Sequence, residues 1–151
     1  MQDKKQIAQQ LLEVVPLVMR VVAAELRRVM PELQPPHVAA LYILSRQPCN
    51  LSQLAELHVV SLPTMSNTVS KLTKMGLVQR TRALHDRRMV LLSLTTEGEA
   101  LLQQIGELVV HHISQLLDPL SGEELVALHN GLNVLQSIFF PIINISGERK
   151  E

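Results

Sequence analysis

Four arginines stand within the twelve residues QRTRALHDRRMV (79–90), at positions 80, 82, 87 and 88, with a single carboxylate, Asp86, among them. Guanidinium groups are planar, permanently charged donors that suit phosphate. Taking the window back to Lys71 and Lys74 gives six basic residues against one acidic over 71–88, a local charge of +5. The remaining segments hold eight basic and thirteen acidic residues, a charge of −5, so the chain as a whole is neutral. A positive block on a balanced chain suggests one surface built for an anionic partner. Charge alone favours a plain solvated face, so the elements that hold these residues must decide.

The arginines fall on a predicted hairpin. LVQRTR (77–82) and MVLLSL (89–94) are rich in strand formers and flank the six-residue loop ALHDRR. The lysines fall on a helix predicted over 62–75, with Ser61 as its cap and Pro63 in the first turn, where amides have no intrahelical partner. Leu62, Met65, Val69 and Leu72 share one stripe, expected to face the core. Thr64, Asn67, Lys71 and Lys74 share the opposite stripe, flanked by Pro63, Ser66 and Ser70. Small polar groups near the helix start would let it approach a major groove, where Asn and Thr can bond base edges. Lysines further along suit phosphates. An ordinary amphipathic surface helix would show the same two faces; the adjacent basic hairpin shifts the balance towards a DNA-reading one.

Other elements frame this pair. Apolar residues at helical spacing predict a long helix over 7–30, with Pro16 a point for a bend, and a second over 36–47 with Val38, Leu41 and Leu44 inward. QPCN (47–50) is expected to turn. Asn50 and Gln53 form a capping box for a short helix in which Leu51, Leu54, Ala55 and Leu57 face inward. Gly76 ends the 62–75 helix, where a left-handed residue is wanted. Thr96 with Glu99 predicts the start of a helix over 97–117, its inward stripe running from Leu101 to Leu116. Ser121 with Glu124 starts a last helix ending near 140, and the tail GERKE is expected to be loose. A short helix, tight turn, second helix and basic hairpin together make a winged helix-turn-helix. The fold expected is mainly α with a small β-hairpin, in one domain of 151 residues. Residues 36–95 would form the DNA-binding lobe; 5–30 and 97–145 would form a helical dimerisation lobe.

Bulk composition agrees. Aromatics are 2% and apolar residues 46%, so the core must be aliphatic. No run of 18 uncharged apolar residues occurs, and Glu13 argues against a signal peptide, so the chain reads as cytoplasmic with no membrane partner. The flanking helices nevertheless look too apolar for monomer surfaces: Val14, Val15, Leu17, Val18, Val21 and Val22 cover more than one face, as do Ile138, Phe139, Phe140, Ile142 and Ile143. A subunit interface is the simplest sink for them, and a fully buried core helix is the alternative. No Gly-rich phosphate loop, zinc-protease motif, cysteine pair or triad spacing is present, so no enzymatic activity and no cofactor are expected.

Over residues 51–102 the chain resembles the DNA-binding lobe of the MarR family (multiple-antibiotic-resistance regulators). The landmarks are LSQLA, VSKL, GLVQR, DRR and LTTEG at matching separations. The resemblance implies a homodimeric transcription regulator, most often a repressor. Two recognition helices would enter successive major grooves of a pseudo-palindromic operator, and two wings would enter flanking minor grooves. It implies that Pro63, Thr64, Ser66 and Asn67 lie at bases or nearby phosphates and Lys71 at the backbone. Arg88, last of the Asp-x-Arg wing pattern, would enter the minor groove, with Arg82 and Arg87 as phosphate contacts. Asp86 would hold the wing's shape through an ion pair. Small-molecule effectors of the family, often aromatic or phenolic, bind a crevice between the lobes. Helices 1, 2 and 5 would line it here, with Met30, His37 and Tyr42 as candidates. The chain departs from the pattern at His58, where an apolar residue is usual, and at Val59, where a turn-former such as Gly is usual. Asn67 also replaces an arginine that many relatives carry.

Three alternatives stay in view. A winged helix can serve protein contact instead of DNA. His37, His111 and His112 could meet as a zinc sensor, but 111 and 112 project about 100° apart on a helix. Metal binding is therefore not expected. Cys49 could be a redox switch, but only Arg46 lies near it in sequence to lower its pKa, so an inert thiol is expected.

Overall fold

The computed structural model describes residues 3–147, with side chains as far as 142. Six helices and one hairpin follow in order: α1 (Lys4–Val29), α2 (Pro35–Arg46), α3 (Leu51–His58), α4 (Leu62–Lys74), β1 (Val78–Arg82), β2 (Val90–Leu94), α5 (Thr96–Leu116) and α6 (Gly122–Gly147). The expected tail therefore falls, apart from Gly147, outside the described residues. The fold is the expected one, mainly helical with a two-stranded antiparallel hairpin.

Local chemistry explains most boundaries. The Asn50 side chain accepts the Gln53 amide at 2.8 Å, and Gln53 Oε1 accepts the Asn50 amide at 3.0 Å, a reciprocal cap for α3. Ser61 Oγ accepts the Thr64 amide at the head of α4. Ser121 and Glu124 exchange the same pair of bonds before α6, and bonds from the Ser121 amide and then its side chain hold the Glu124 carboxyl below its ordinary range. Gly76, at φ 73°, reverses the chain from α4 into β1.

Four expectations need correction. The cap of α5 is Thr95, not Thr96. Its hydroxyl donates to the Gly76 carbonyl at 2.6 Å and its amide to the Leu77 carbonyl at 3.1 Å, which fixes Thr95 in extended geometry. The same hydroxyl accepts the Gly98 amide. Second, α6 continues through Pro141 to Gly147, because a proline removes one helical bond without forcing a stop; α1 runs through Pro16 unbroken in the same way. Third, Leu62 is exposed, and the half-turn behind Met65 is filled by Thr68, whose hydroxyl is satisfied by the Thr64 carbonyl. Fourth, Cys49 lies not in a simple turn but in a bridge to β2. Its amide donates to the Leu92 carbonyl and its carbonyl accepts from the Leu92 amide, so the wing gains a one-residue third strand.

The core lies between α2, α3, α4 and the hairpin, around Leu41, Leu54, Met65, Val69, Leu72 and Val78, with Leu33 buried at its edge. Leu26 of α1 and Ile105 of α5 extend it. Beside them the two helices are linked through the buried Glu25. Arg28 grips its carboxylate with two bonds, at 2.6 and 3.1 Å, and His112 Nδ1 approaches to 3.8 Å. The bonds from Arg28 hold Glu25 below the usual carboxylate range.

Away from this core the outer helices are bare. Val14, Val15, Leu17, Val18 and Met19 of α1 are exposed, as are Leu132, Ile138, Phe139 and Phe140 of α6. The expected inward residue Leu116 of α5 is exposed too. Ile143's side chain lies outside the described residues. By length and composition Lys4–Val29 and Gly122–Ile142 are apolar enough to cross a membrane, although neither is an uninterrupted apolar run.

The turn between α3 and α4 stores strain. Val59 adopts the left-handed conformation at φ 57°, ψ 47° so that its amide and that of Val60 can close on Ala55. A β-branched residue there costs about 1–2 kcal/mol, and Val59 is 89% exposed, so burial returns little. Val59→Gly is therefore expected to stabilise the protein by about 1 kcal/mol, raising the melting temperature by roughly 2–4 °C. Differential scanning calorimetry checks this; an unchanged or lower transition would show that the turn is not strained.

Candidate nucleic-acid interface

α4 is held from behind and open in front. Met65, Val69 and Leu72 are fully buried, which fixes the helix's rotation. That rotation leaves Pro63, Thr64, Asn67 and Lys71 exposed and Ser66 half-buried. At the helix start Ser61 Oγ also donates to Thr64 Oγ1 at 2.9 Å, so the Thr64 hydroxyl is oriented with its own proton still to give. Lys74 is exposed in the last turn.

The hairpin follows directly. Val78 pairs with Leu94 and Arg82 with Val90, and the ladder closes at the base of the wing where the Ala83 amide meets the Met89 carbonyl. Ala83 is buried, and the tip from Leu84 to Arg88 is exposed. Asp86 shapes this tip through backbone bonds, and among the described residues no ion pair to its carboxylate accompanies them. Its carboxylate accepts the Arg88 backbone amide at 2.9 Å, and its carbonyl accepts the Met89 amide at 3.1 Å. A carboxylate two residues before an amide makes such a turn locally, with no cation needed. Arg82 reaches across to donate from Nη1 to the Arg87 carbonyl at 3.1 Å. Residue types show Arg82 only as a charge; its bond to the wing loop depends on the folded hairpin. Arg80, Arg87 and Arg88 are exposed with it.

The other candidates separate. A cavity of ≈ 630 Å³ opens between α1, α2 and α5, with Tyr42 in its wall. Met30 and His37 are not among the residues that line it. Met30 packs against the core. His37 is committed to the start of α2, where Nδ1 accepts the Gln34 amide at 3.0 Å. Burial and, next, Lys71 lower its pKa, which keeps that nitrogen an acceptor at neutral pH. His112 faces Glu25, and among the described residues no three His, Cys, Asp or Glu side chains gather where they could hold a metal ion.

Cys49 is buried, and burial pushes its thiol up to about 11. A thiol of that kind is almost wholly protonated at neutral pH and a poor nucleophile. At pH 7.5 the folded protein should resist iodoacetamide while the denatured chain labels fully. Comparable labelling of both would show that Cys49 is reachable and reactive.

Residues 33–90, from the buried Leu33 to the start of β2, match the sequence model of the MarR family. This segment resembles a MarR family domain. The chain is 33% identical over 89 residues to the HTH-type transcriptional regulator FarR of Neisseria gonorrhoeae, an alignment covering 59% of this chain and 61% of that protein. It therefore spans about three fifths of that relative's length. The likeness in shape extends beyond that segment. The crystal structure of RV1404 from Mycobacterium tuberculosis superposes with a TM-score of 0.77 at 24% identity, over 91% of this chain and 95% of that one. That of Streptococcus pneumoniae FabT, solved in complex with DNA, gives 0.69 at 22% identity, over 93% and 99%. At these identities the likeness establishes the fold, including the long helices that flank the matched segment.

Proposed function

We propose that the protein is a sequence-specific, double-stranded DNA-binding transcription regulator acting in the cytoplasm, a homodimeric repressor released from a pseudo-palindromic operator by a small-molecule effector. The observation that carries this is the pairing of α4, its polar face exposed, with a basic wing separated from it by three residues. FarR is named a transcriptional regulator, and FabT was solved with DNA. In this reading Pro63, Thr64, Ser66 and Asn67 face bases or adjacent phosphates, Lys71 and Arg87 the backbone, and Arg88 the minor groove. Minor-groove arginines are favoured where the groove narrows and its negative potential concentrates. Arg82 divides its donors between the wing and phosphate.

The bare apolar faces of α1 and α6 support the dimer. A second copy would cover both at once, and residues 5–30 and 97–145 would form that lobe around a DNA-binding lobe at 36–95. A bilayer is the poorer cover: Glu13 and Arg20 lie within the apolar part of α1, and each costs about 2.5–3.5 kcal/mol at mid-membrane. The effector would occupy the cavity between α1, α2 and α5 and favour a lobe spacing that mismatches the two grooves.

Fluorescence anisotropy with labelled duplexes from upstream of the protein's own gene tests the reading. Binding should be tight to one duplex and weaken at least a hundredfold, as an order of magnitude, between about 50 and 200 mM salt, through counterion release. Sedimentation should give a two-chain mass. No binding to any duplex, or binding that ignores salt, would favour a winged helix used for protein contact.

A further inference from the structure

We infer that the cavity between α1, α2 and α5 takes an apolar amine: an alkyl or aryl body ending in an ammonium group. This rests on reading that cavity as the effector site. Its walls are aliphatic, with Val22, Leu26, Val38, Leu102, Ile105 and Val109 contributing, and its ≈ 630 Å³ lies in the range of small-molecule sites. Four polar side chains complete the lining: Glu99, which is exposed, and three that bond to neighbours. Glu99 is acceptor-only when ionised, and it is the one charged side chain in the lining. Ser45 gives its proton to the Tyr42 carbonyl at 2.6 Å, which leaves its oxygen lone pairs. Gln103 donates from Nε2 to Glu107 at 3.0 Å, which leaves its amide oxygen as an acceptor.

Tyr42 adds a ring wall, while its hydroxyl accepts from Arg46 at 2.6 Å. Arg46 itself does not line the cavity. Its guanidinium gives one N–H to that hydroxyl and sits 5.2 Å from the Tyr42 ring centre and 6.0 Å from that of Phe140. The lining thus offers one negative charge and several acceptors, with the Tyr42 hydroxyl proton and the second Nε2–H of Gln103 as its remaining donors, and no cation among the described residues. A ligand that donates and carries a positive charge matches it; a carboxylate or phenolate would meet Glu99 unpaired.

Calorimetric titration of the full chain at pH 7 with octylammonium, 1-octanol and octanoate, each below its aggregation concentration, tests this. Octylammonium should bind about tenfold more tightly than octanoate, with octanol between them. Glu99→Gln should remove the ammonium's advantage and leave octanol unchanged. Gly106 lines the cavity and a Cβ there meets nothing within 4 Å, so Gly106→Phe can enter and should fill the space and abolish all three. Octanoate binding tightest, and blocked by Gly106→Phe, would overturn the amine while keeping the cavity as a ligand site. No binding by any of the three, or binding that Gly106→Phe leaves intact, would overturn both.

Discussion

Gly98→Ala is expected to lower stability by about 3 kcal/mol and the melting temperature by roughly 6–12 °C. A Cβ built on Gly98 would lie 2.1 Å from the Leu77 carbonyl oxygen and 3.0 Å from its carbon. Those atoms are backbone and cannot rotate aside. They also belong to the joint that matters most, because the Leu77 carbonyl accepts the Thr95 amide and the Thr95 hydroxyl bonds both Gly76 and Gly98. The added methyl would push the start of α5 away from the turn between α4 and the wing. Helix propensity works the other way, since alanine is better than glycine inside a helix by about 0.5–1 kcal/mol, but the clash is larger. Gly106→Ala isolates that smaller effect: its Cβ meets nothing within 4 Å, so it should raise stability by about that amount. Thermal unfolding of both variants at equal protein concentration checks the pair. An unchanged transition for Gly98→Ala would mean that the joint yields without cost.

Arg88→Ala is expected to weaken operator binding by roughly ten- to a hundredfold, the usual 1–3 kcal/mol for a specific arginine contact, and to leave thermal stability alone. Arg88 is exposed and its side chain makes no ion pair among the described residues; only its backbone amide is used, by Asp86. Asp86→Ala should weaken binding through the same residue by releasing the turn. Adding it to Arg88→Ala should therefore cost little further, because the two act through one element. Anisotropy titrations of the two single variants and the double variant measure the coupling. Fully additive losses would mean that Asp86 works independently of Arg88. Retained affinity in Arg88→Ala would place the wing outside the DNA contact.

Much of this was legible in residue types and spacing. The capping pairs Asn50/Gln53 and Ser121/Glu124, the Ser61 cap and Gly76 are local devices: each bond closes within a few residues, so sequence distance and spatial distance agree. The stripes of α2, α3 and most of α4 could be read for the same reason, since helical period alone sets which residues share a face. The misreadings have a shared origin. Thr95 displaced Thr96 as a cap because its hydroxyl bonds Gly76, nineteen residues away. Cys49 joined the wing through Leu92, and a one-residue pairing leaves no alternating pattern to read. Leu62 was assigned inward by its period, but a helix's first residue projects beyond the element it packs on.

By itself, then, the sequence determined the order of elements, the helix-turn-helix followed by a basic hairpin, and the identity of the exposed polar residues on α4, because these depend on local propensity and periodicity. Only the tertiary structure decided how the parts are joined. It set Gly98 against the Leu77 carbonyl, tied Arg82 to the Arg87 carbonyl, linked Glu25 with Arg28 and His112 between α1 and α5, and opened a cavity lined by Tyr42 rather than by Met30 or His37. Each of these depends on the register and distance between separate elements, which buried contacts of the whole chain fix and no short stretch of sequence encodes.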